Sequence, residues 1–95
     1  MNLYNGEQSM TLALNVQNRN YLLDPKVMYT LGRGEGVDIL VKHAMVSRRH
    51  CRFFFQDGHW ILEDLGSAHG TFLSGVKIKE TEISVCNRIN NSYIH

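Results

Sequence analysis

Two arginines and a serine, placed in separate polar or glycine-containing stretches, are the side chains of this sequence best suited to bind an anion. Arg33 directly follows Gly32, and Ser47 directly precedes Arg48. A guanidinium group makes bidentate, charge-assisted hydrogen bonds to phosphate oxygens, and a hydroxyl adds one donor. In residues 66–70, a glycine at each end allows a tight backbone whose amides can face the same anion. Each residue alone is best explained as a solvated charge or a turn, but together they predict a phosphate site.

The elements that must bring these stretches together are short strands. Residues 10–16 alternate apolar and polar side chains, as a half-buried strand does. Asp57 and Gly58 lie between two hydrophobic runs and form the clearest hairpin signal in the chain. No segment has a sustained helical period. We therefore predict an all-β fold, a two-layer antiparallel β-sandwich of about ten short strands, with its functional loops at one end.

The remaining apolar runs divide the chain into predicted strands and loops. Besides residues 10–16, the predicted strands are residues 21–23, 28–31, 39–41, 51–55, 60–65, 71–73, 76–78, 83–85 and 88–94. The loops that carry the anion-binding side chains are residues 32–37, 42–49 and 66–70. The side chains expected to point inward from the central hairpin are Cys51, Phe53, Phe55, Trp60 and Leu62.

Length and composition describe one small domain without a strong overall charge. The 95 residues have a formal net charge of +1, which favours neither DNA nor an anionic membrane as a partner. The spacing of Cys51 and Cys86 fits neither metal binding nor redox chemistry, so both are expected to be reduced thiols inside a cell. Residues 1–9 are expected to be a flexible lead, and residues 10–95 the folded domain.

Three motifs, in order along the chain, resemble the signature of the forkhead-associated (FHA) domain. They are Gly32-Arg33, then Ser-Arg-Arg-His at residues 47–50, then Asp-Leu-Gly-Ser-Ala-His-Gly-Thr-Phe at residues 64–72. The resemblance covers roughly residues 12–89. It implies an eleven-stranded β-sandwich whose apical loops bind phosphothreonine peptides, and therefore a phosphorylation-dependent interaction module that is not an enzyme and uses no cofactor.

The resemblance also implies roles for the matched residues. The residues that would contact the phosphopeptide are Arg33, Ser47, Arg48 and His69. The residues that would shape or hold the loops are Gly32, His50, Ser67 and Gly70. Two departures from the family pattern lie in the third loop: His69 replaces a usual asparagine, and Ala68 replaces a hydroxyl residue. The usual Gly-Asp pair near the end of the domain is also absent from residues 85–89.

Three other interpretations compete with phosphopeptide binding. Ser47 and His50 could be a nucleophile and its base, but residues i and i+3 of an extended chain point to opposite faces. The side chains that could bind a metal, in no recognised spacing, are His43, His50, Cys51, His59, His69 and Cys86. The third interpretation is a phosphate-independent interaction or oligomerisation domain of the same fold. It is supported by Ala68 and His69, which depart from the family's binding pattern. A monomer or weak dimer is expected.

Overall fold

The computed structural model describes residues 10–83, and the described chain forms nine strands. They are β1 (Leu12–Val16), β2 (Arg19–Leu23), β3 (Tyr29–Gly32), β4 (Ile39–Leu40), β5 (Cys51–Gln56), β6 (His59–Asp64), β7 (Thr71–Leu73), β8 (Val76–Ile78) and β9 (Glu80–Ile83). The prediction of an all-β sandwich is confirmed. The predicted flexible lead, the predicted strand at residues 88–94 and the end of the one at 83–85 lie outside the described residues.

Five strands form the largest sheet, in the order β4-β3-β5-β6-β9. Two further antiparallel pairs, β1-β2 and β7-β8, complete the described strands. One pair departs from the antiparallel pattern: β3 and β4 pair in parallel, with Leu31 opposite Ile39. The short connection between them is closed by hydrogen bonds between Thr30 and Asp38, backbone to backbone at 3.0 Å and backbone to carboxylate at 2.8 Å. These two hydrogen bonds hold the ends of the loop at residues 32–37, which carries Arg33, close together.

Antiparallel hairpins of the described chain turn at residues with a positive φ. The predicted Asp57-Gly58 turn joins β5 to β6, with φ values of 53° and 82°. The β1-β2 turn at Gln17 and Asn18 also has positive φ, 51° and 65°. Asparagine tolerates this region better than most residues, but glutamine does not, so this turn gave a weaker sequence signal.

The core lies between the sheets and is built from alternate strand positions. Trp60 and Phe53 are the largest fully buried side chains, and the Trp60 Nε1–H donates to the Met10 carbonyl at 2.7 Å. Phe55 packs edge-to-face on Trp60 with ring centroids 5.6 Å apart, although it is only partly buried. The other buried apolar residues are Leu12, Leu14, Val16, Leu23, Leu31, Ile39, Val41, Val46, Cys51, Leu62 and Ile83.

Cys51 belongs to this core as a free thiol. Its burial, reinforced by the nearby Asp64 carboxylate, raises the pKa of the thiol to about 12, despite an opposing hydrogen bond with Thr71. The group is therefore protonated at neutral pH and a poor nucleophile. Between residues 10 and 83 there is no cluster of three or more potential metal ligands, and no helix long and apolar enough to cross a membrane.

Candidate anion-binding site

The first two loops run side by side and are joined through their backbones. The Arg33 N–H donates to the Ser47 carbonyl at 3.0 Å, and the Gly34 N–H donates to the Arg48 carbonyl at 3.1 Å. Two residues that are distant in the chain, Arg33 and Ser47, are therefore neighbours at one end of the sandwich. This juxtaposition is the one on which a shared anion site depends.

Gly32 makes this approach possible by having no side chain. A Cβ at this position would lie 2.0 Å from the Arg48 carbonyl oxygen and 3.0 Å from that of Ser47. Gly32 was expected in the loop, but it is the last residue of β3, opposite Leu40 of β4. The glycine is therefore needed for the close contact of two backbones rather than for a turn conformation.

The Arg33 side chain is exposed but held in one direction. Its Nε–H donates to the Val46 carbonyl at 2.8 Å, which ties the guanidinium to the second loop. Its terminal nitrogens make no hydrogen bond or ion pair to another residue between 10 and 83. A guanidinium fixed at Nε, with its two Nη groups available, suits bidentate binding of a phosphate because little rotamer freedom is left to lose.

His50 joins the second loop to the third from a fully buried position. Its Nδ1 accepts the Ser47 N–H at 3.0 Å, and its Nε2 lies 2.8 Å from the Gly70 carbonyl. An acceptor at Nδ1 and a carbonyl at Nε2 select the neutral tautomer with the proton on Nε2. The imidazole thus links the second loop to the third through the backbones of Ser47 and Gly70.

Ser47 is also connected to the third loop through its hydroxyl. The Ala68 N–H donates to Ser47 Oγ at 2.9 Å. The amides of residues 66–70 were predicted to be able to face an anion, and the structure places that of Ala68 on the serine hydroxyl instead. An oxygen that accepts this bond can still donate its own proton, so the Ala68 amide orients the hydroxyl for an acceptor outside the protein.

The third loop is folded around the Asp64 carboxylate. One oxygen, Oδ2, accepts the N–H groups of Gly66 and Ser67 at 3.0 and 3.2 Å. The other, Oδ1, accepts the Ser67 hydroxyl and, at 2.8 Å, the hydroxyl of buried Thr71. Ser67 Oγ accepts the Gly70 N–H at 3.0 Å in turn. This network fixes the backbone between residues 64 and 71.

These hydrogen bonds also set the ionisation of Asp64. Partial burial by itself would raise the pKa of this carboxyl, but the bonds from Ser67, Thr71 and Gly66 favour the charged form more strongly. The pKa of Asp64 is consequently lowered from its ordinary value of 3.8. The charged form is the one that holds the loop together.

We expect Asp64→Asn to destabilise the domain at neutral pH, because the amide cannot accept four bonds in this geometry. The unfolded chain binds the Asp64 proton at a higher pH than the folded one does. The stabilisation is therefore complete above the ordinary pKa and is lost as the pH falls from there through the lowered one. Denaturant unfolding at a series of acid pH values should show that the difference in free energy of unfolding between wild type and Asp64→Asn decreases as the pH falls. Asp57→Asn, at an exposed hairpin position, is the matched control, and an equal effect there would contradict the expectation.

The predicted site residues fall into two groups in the structure. Those that the contacts bring together are Gly32, Arg33, Ser47, Arg48, His50, Ser67 and Gly70. His69 is exposed on the third loop, and its predicted contact with a ligand stays a prediction. Residues 48–49 form a bend within the predicted loop, so Ser47 and His50 do not lie on the extended chain that was assumed in comparing their directions.

Sequence reasoning assigned no role to Asp64, Glu35 or Arg49, and it gave Thr71 only the start of the strand after the third loop. Asp64 carried a usable signal, since an aspartate ahead of Gly-Ser commonly bonds the backbone two residues on. Glu35 and Arg49 line a cleft of about 520 Å³ together with Arg33, Gly34 and Arg48. Nothing in the spacing of these charges indicated that they share one cleft.

Comparison with known proteins gives a family match. The family model described as the FHA domain matches residues 29–90. The probable E3 ubiquitin-protein ligase dma1 of Schizosaccharomyces pombe is 38% identical over 45 residues, which are 47% of this chain and 17% of the ligase. The chain thus spans a small part of this curated relative.

Solved structures share the fold. The FHA-1 domain of Mycobacterium tuberculosis Rv1747 superimposes with a TM-score of 0.71 at 25% identity, over 77% of this chain and 74% of that one. An FHA domain studied for its phosphothreonine-dependent interactions has a TM-score of 0.66 at 24% identity, over 78% of this chain and 76% of that one. The second likeness concerns the fold alone.

Proposed function

This chain belongs to the forkhead-associated domain family, and we propose that it binds a threonine-phosphorylated peptide or protein through its three apical loops. Such binding makes it a module for phosphorylation-dependent protein–protein interaction in signalling. The phosphate would lie between the Arg33 guanidinium and the Ser47 hydroxyl, with Arg48 and His69 contacting the phosphate or the adjoining peptide.

One observation carries the proposal: the 3.0 Å backbone bond between Arg33 and Ser47. It places a fixed cation and an oriented hydroxyl at one tip of the sandwich. The guanidinium offers its Nη groups to two phosphate oxygens, and the Ser47 hydroxyl, which accepts the Ala68 N–H, donates to a third. The loops are already tied together by His50, so little ordering is needed on binding.

We expect micromolar affinity for a phosphothreonine peptide. Three or four hydrogen bonds to a charged phosphate are worth roughly 1.5–3 kcal/mol each, and after ordering costs a net of about 8 kcal/mol corresponds to micromolar affinity. Calorimetric titration against a degenerate phosphothreonine peptide library, and against the same library unphosphorylated, measures the difference. Binding of both libraries with equal affinity would refute the proposal.

We also propose that the domain itself catalyses no reaction. FHA domains are interaction modules and generally not enzymes, although one occurs within a larger ligase. The Ser47 hydroxyl is not activated by His50, because the two ring nitrogens of His50 engage the Ser47 N–H and the Gly70 carbonyl. Incubation with generic esters and phosphate esters should give no turnover above that of a Ser47→Ala variant.

We also propose that the domain works inside a cell and binds neither nucleic acid nor a membrane. A free buried thiol at Cys51 supports a reducing, intracellular setting. The formal net charge of +1 supports neither nucleic acid nor membrane as a partner. We propose a monomer or weak dimer, which light scattering during size-exclusion chromatography would measure.

A further inference from the structure

A cleft beside the proposed phosphate position is strongly cationic. Arg33, Arg48 and Arg49 line it, and Glu35 is the one carboxylate in its lining. These groups give the cleft a formal charge of +2, three guanidinium groups less one carboxylate, on a chain whose total is only +1. The positive charge of this domain is therefore concentrated at the tip that binds the ligand.

The three guanidinium groups of the cleft are not neutralised by the part of the fold that the structure describes. The ion pairs there are Arg52 with Glu63 and the exposed His59 with Glu82, neither of which involves the cleft. All three arginines of the cleft are exposed. Like charges held together without partners repel one another, and an anion from outside relieves that repulsion.

The cleft extends beyond the hydroxyl that would receive the phosphate. Ser47 is not among its lining residues, whereas Arg49, two positions further on, is. A backbone bond fixes this arrangement, since the Gly34 N–H donates to the Arg48 carbonyl, and a Cβ added to Gly34 would lie 2.9 Å from the Arg48 Cβ. Its volume of about 520 Å³ lies within the range of ligand pockets and exceeds what one phosphoryl group fills. A phosphate bound between Arg33 and Ser47 would therefore fill only part of the cleft.

We propose that this arginine cleft receives a second anionic group of the ligand, close in sequence to the phosphothreonine. The inference rests on the proposed function and extends it to the residues that flank the phosphate. The second group is a carboxylate of aspartate or glutamate, or a second phosphate, since a guanidinium binds both in the same bidentate way. Glu35 disfavours an acid on its own side of the cleft, so the position of the acid along the peptide is restricted.

Two substitutions with opposite expected effects on peptide affinity test the cleft. Arg49→Gln should weaken binding of an acid-flanked phosphothreonine peptide by about fivefold, as expected for one partly exposed charge pair. Glu35→Gln should strengthen the same binding, because it removes the one negative charge of the cleft. Arg19→Gln changes another exposed arginine, outside the cleft lining, and should leave affinity unchanged. Thermal unfolding of each variant checks that the fold is intact.

The peptides are matched so that the source of the second anion can be distinguished. Each contains one phosphothreonine, and a neighbouring position is scanned with alanine, aspartate or phosphoserine. Wild-type protein should prefer the doubly anionic peptides, and Arg49→Gln should lose that preference while still binding the alanine peptide. A larger preference for phosphoserine than for aspartate would identify a second phosphate as the ligand group, and the reverse a carboxylate.

Two negative results have different meanings here. If wild-type protein binds none of the phosphothreonine peptides, the proposed function itself is wrong and this inference falls with it. If wild-type protein binds all peptides equally, and Arg49→Gln and Glu35→Gln bind them as wild type does, phosphopeptide recognition stands and the second anion site is refuted.

Discussion

Replacing Arg33 with alanine is expected to weaken binding of a phosphothreonine peptide by roughly a hundredfold. The variant removes two charge-assisted hydrogen bonds, and a loss of about 3 kcal/mol corresponds to that factor. The effect should be large because the Arg33 guanidinium is already held by its 2.8 Å bond from Nε to the Val46 carbonyl, so little ordering cost offsets its phosphate contacts. Calorimetric titration of wild-type and variant protein with one phosphopeptide measures the change.

Two companion substitutions separate charge from geometry. Arg33→Lys keeps the positive charge, but a lysine ammonium cannot donate to the Val46 carbonyl and bind two phosphate oxygens at the same time. This variant should therefore recover only a small part of the affinity that Arg33→Ala loses. Ser47→Ala removes the hydroxyl that the Ala68 N–H orients, and it should weaken binding by about tenfold, the value of one such hydrogen bond. Both variants should keep the wild-type circular dichroism spectrum and unfold cooperatively.

The same variants decide between the proposed function and a phosphate-independent interaction domain of this fold. Ala68 lacks the hydroxyl expected from the family pattern, and its amide is used inside the protein, so the third loop offers fewer phosphate contacts than anticipated. If a natural partner, identified independently, still bound Arg33→Ala and Ser47→Ala with wild-type affinity, the loop tips would not be the binding surface. Phosphopeptide recognition would then be excluded for that partner.

The class of fold could be predicted because it depends on local patterns. Period-two alternation in residues 12–16 dictates which side chains are buried, and Asp57-Gly58 dictates a tight turn whatever surrounds it. Arg33 and Ser47 were chosen as candidates because each lies in a loop between predicted strands and has a side chain that suits a phosphate. Their proximity came from resemblance to a family rather than from physical reasoning on the sequence.

The features that were mispredicted depend on contacts between distant residues. Gly32 has a poor strand propensity, but pairing with Leu40 and the close approach of Arg48 override it. The strand β4 has two residues, which are too few for a period-two signal, so its parallel pairing with β3 had no sequence signal. The roles of the Ala68 amide and of Arg49 depend likewise on loops meeting in space, which one sequence does not reveal.

Gly32→Ala is expected to destabilise the domain by about 3 kcal/mol, at the upper end for a single added methyl group. The new Cβ would lie 2.0 Å from the Arg48 carbonyl oxygen and 2.6 Å from its carbon, both backbone atoms that no rotamer change can move. The two loops would have to separate, breaking the bonds from Arg33 to Ser47 and from Gly34 to Arg48. Chemical denaturation measures the stability, and phosphopeptide titration measures the accompanying loss of binding.

Gly58→Ala is the matched control for this substitution, because it adds the same methyl group where there is room. Gly58 has a φ of 82° and nothing within 4 Å of an added Cβ, so only backbone strain of about 1 kcal/mol is expected. This hairpin control should leave phosphopeptide affinity unchanged, whereas Gly32→Ala should lower both stability and affinity. If Gly32→Ala were as stable as Gly58→Ala and bound peptide normally, the close backbone contact would not be what assembles the site.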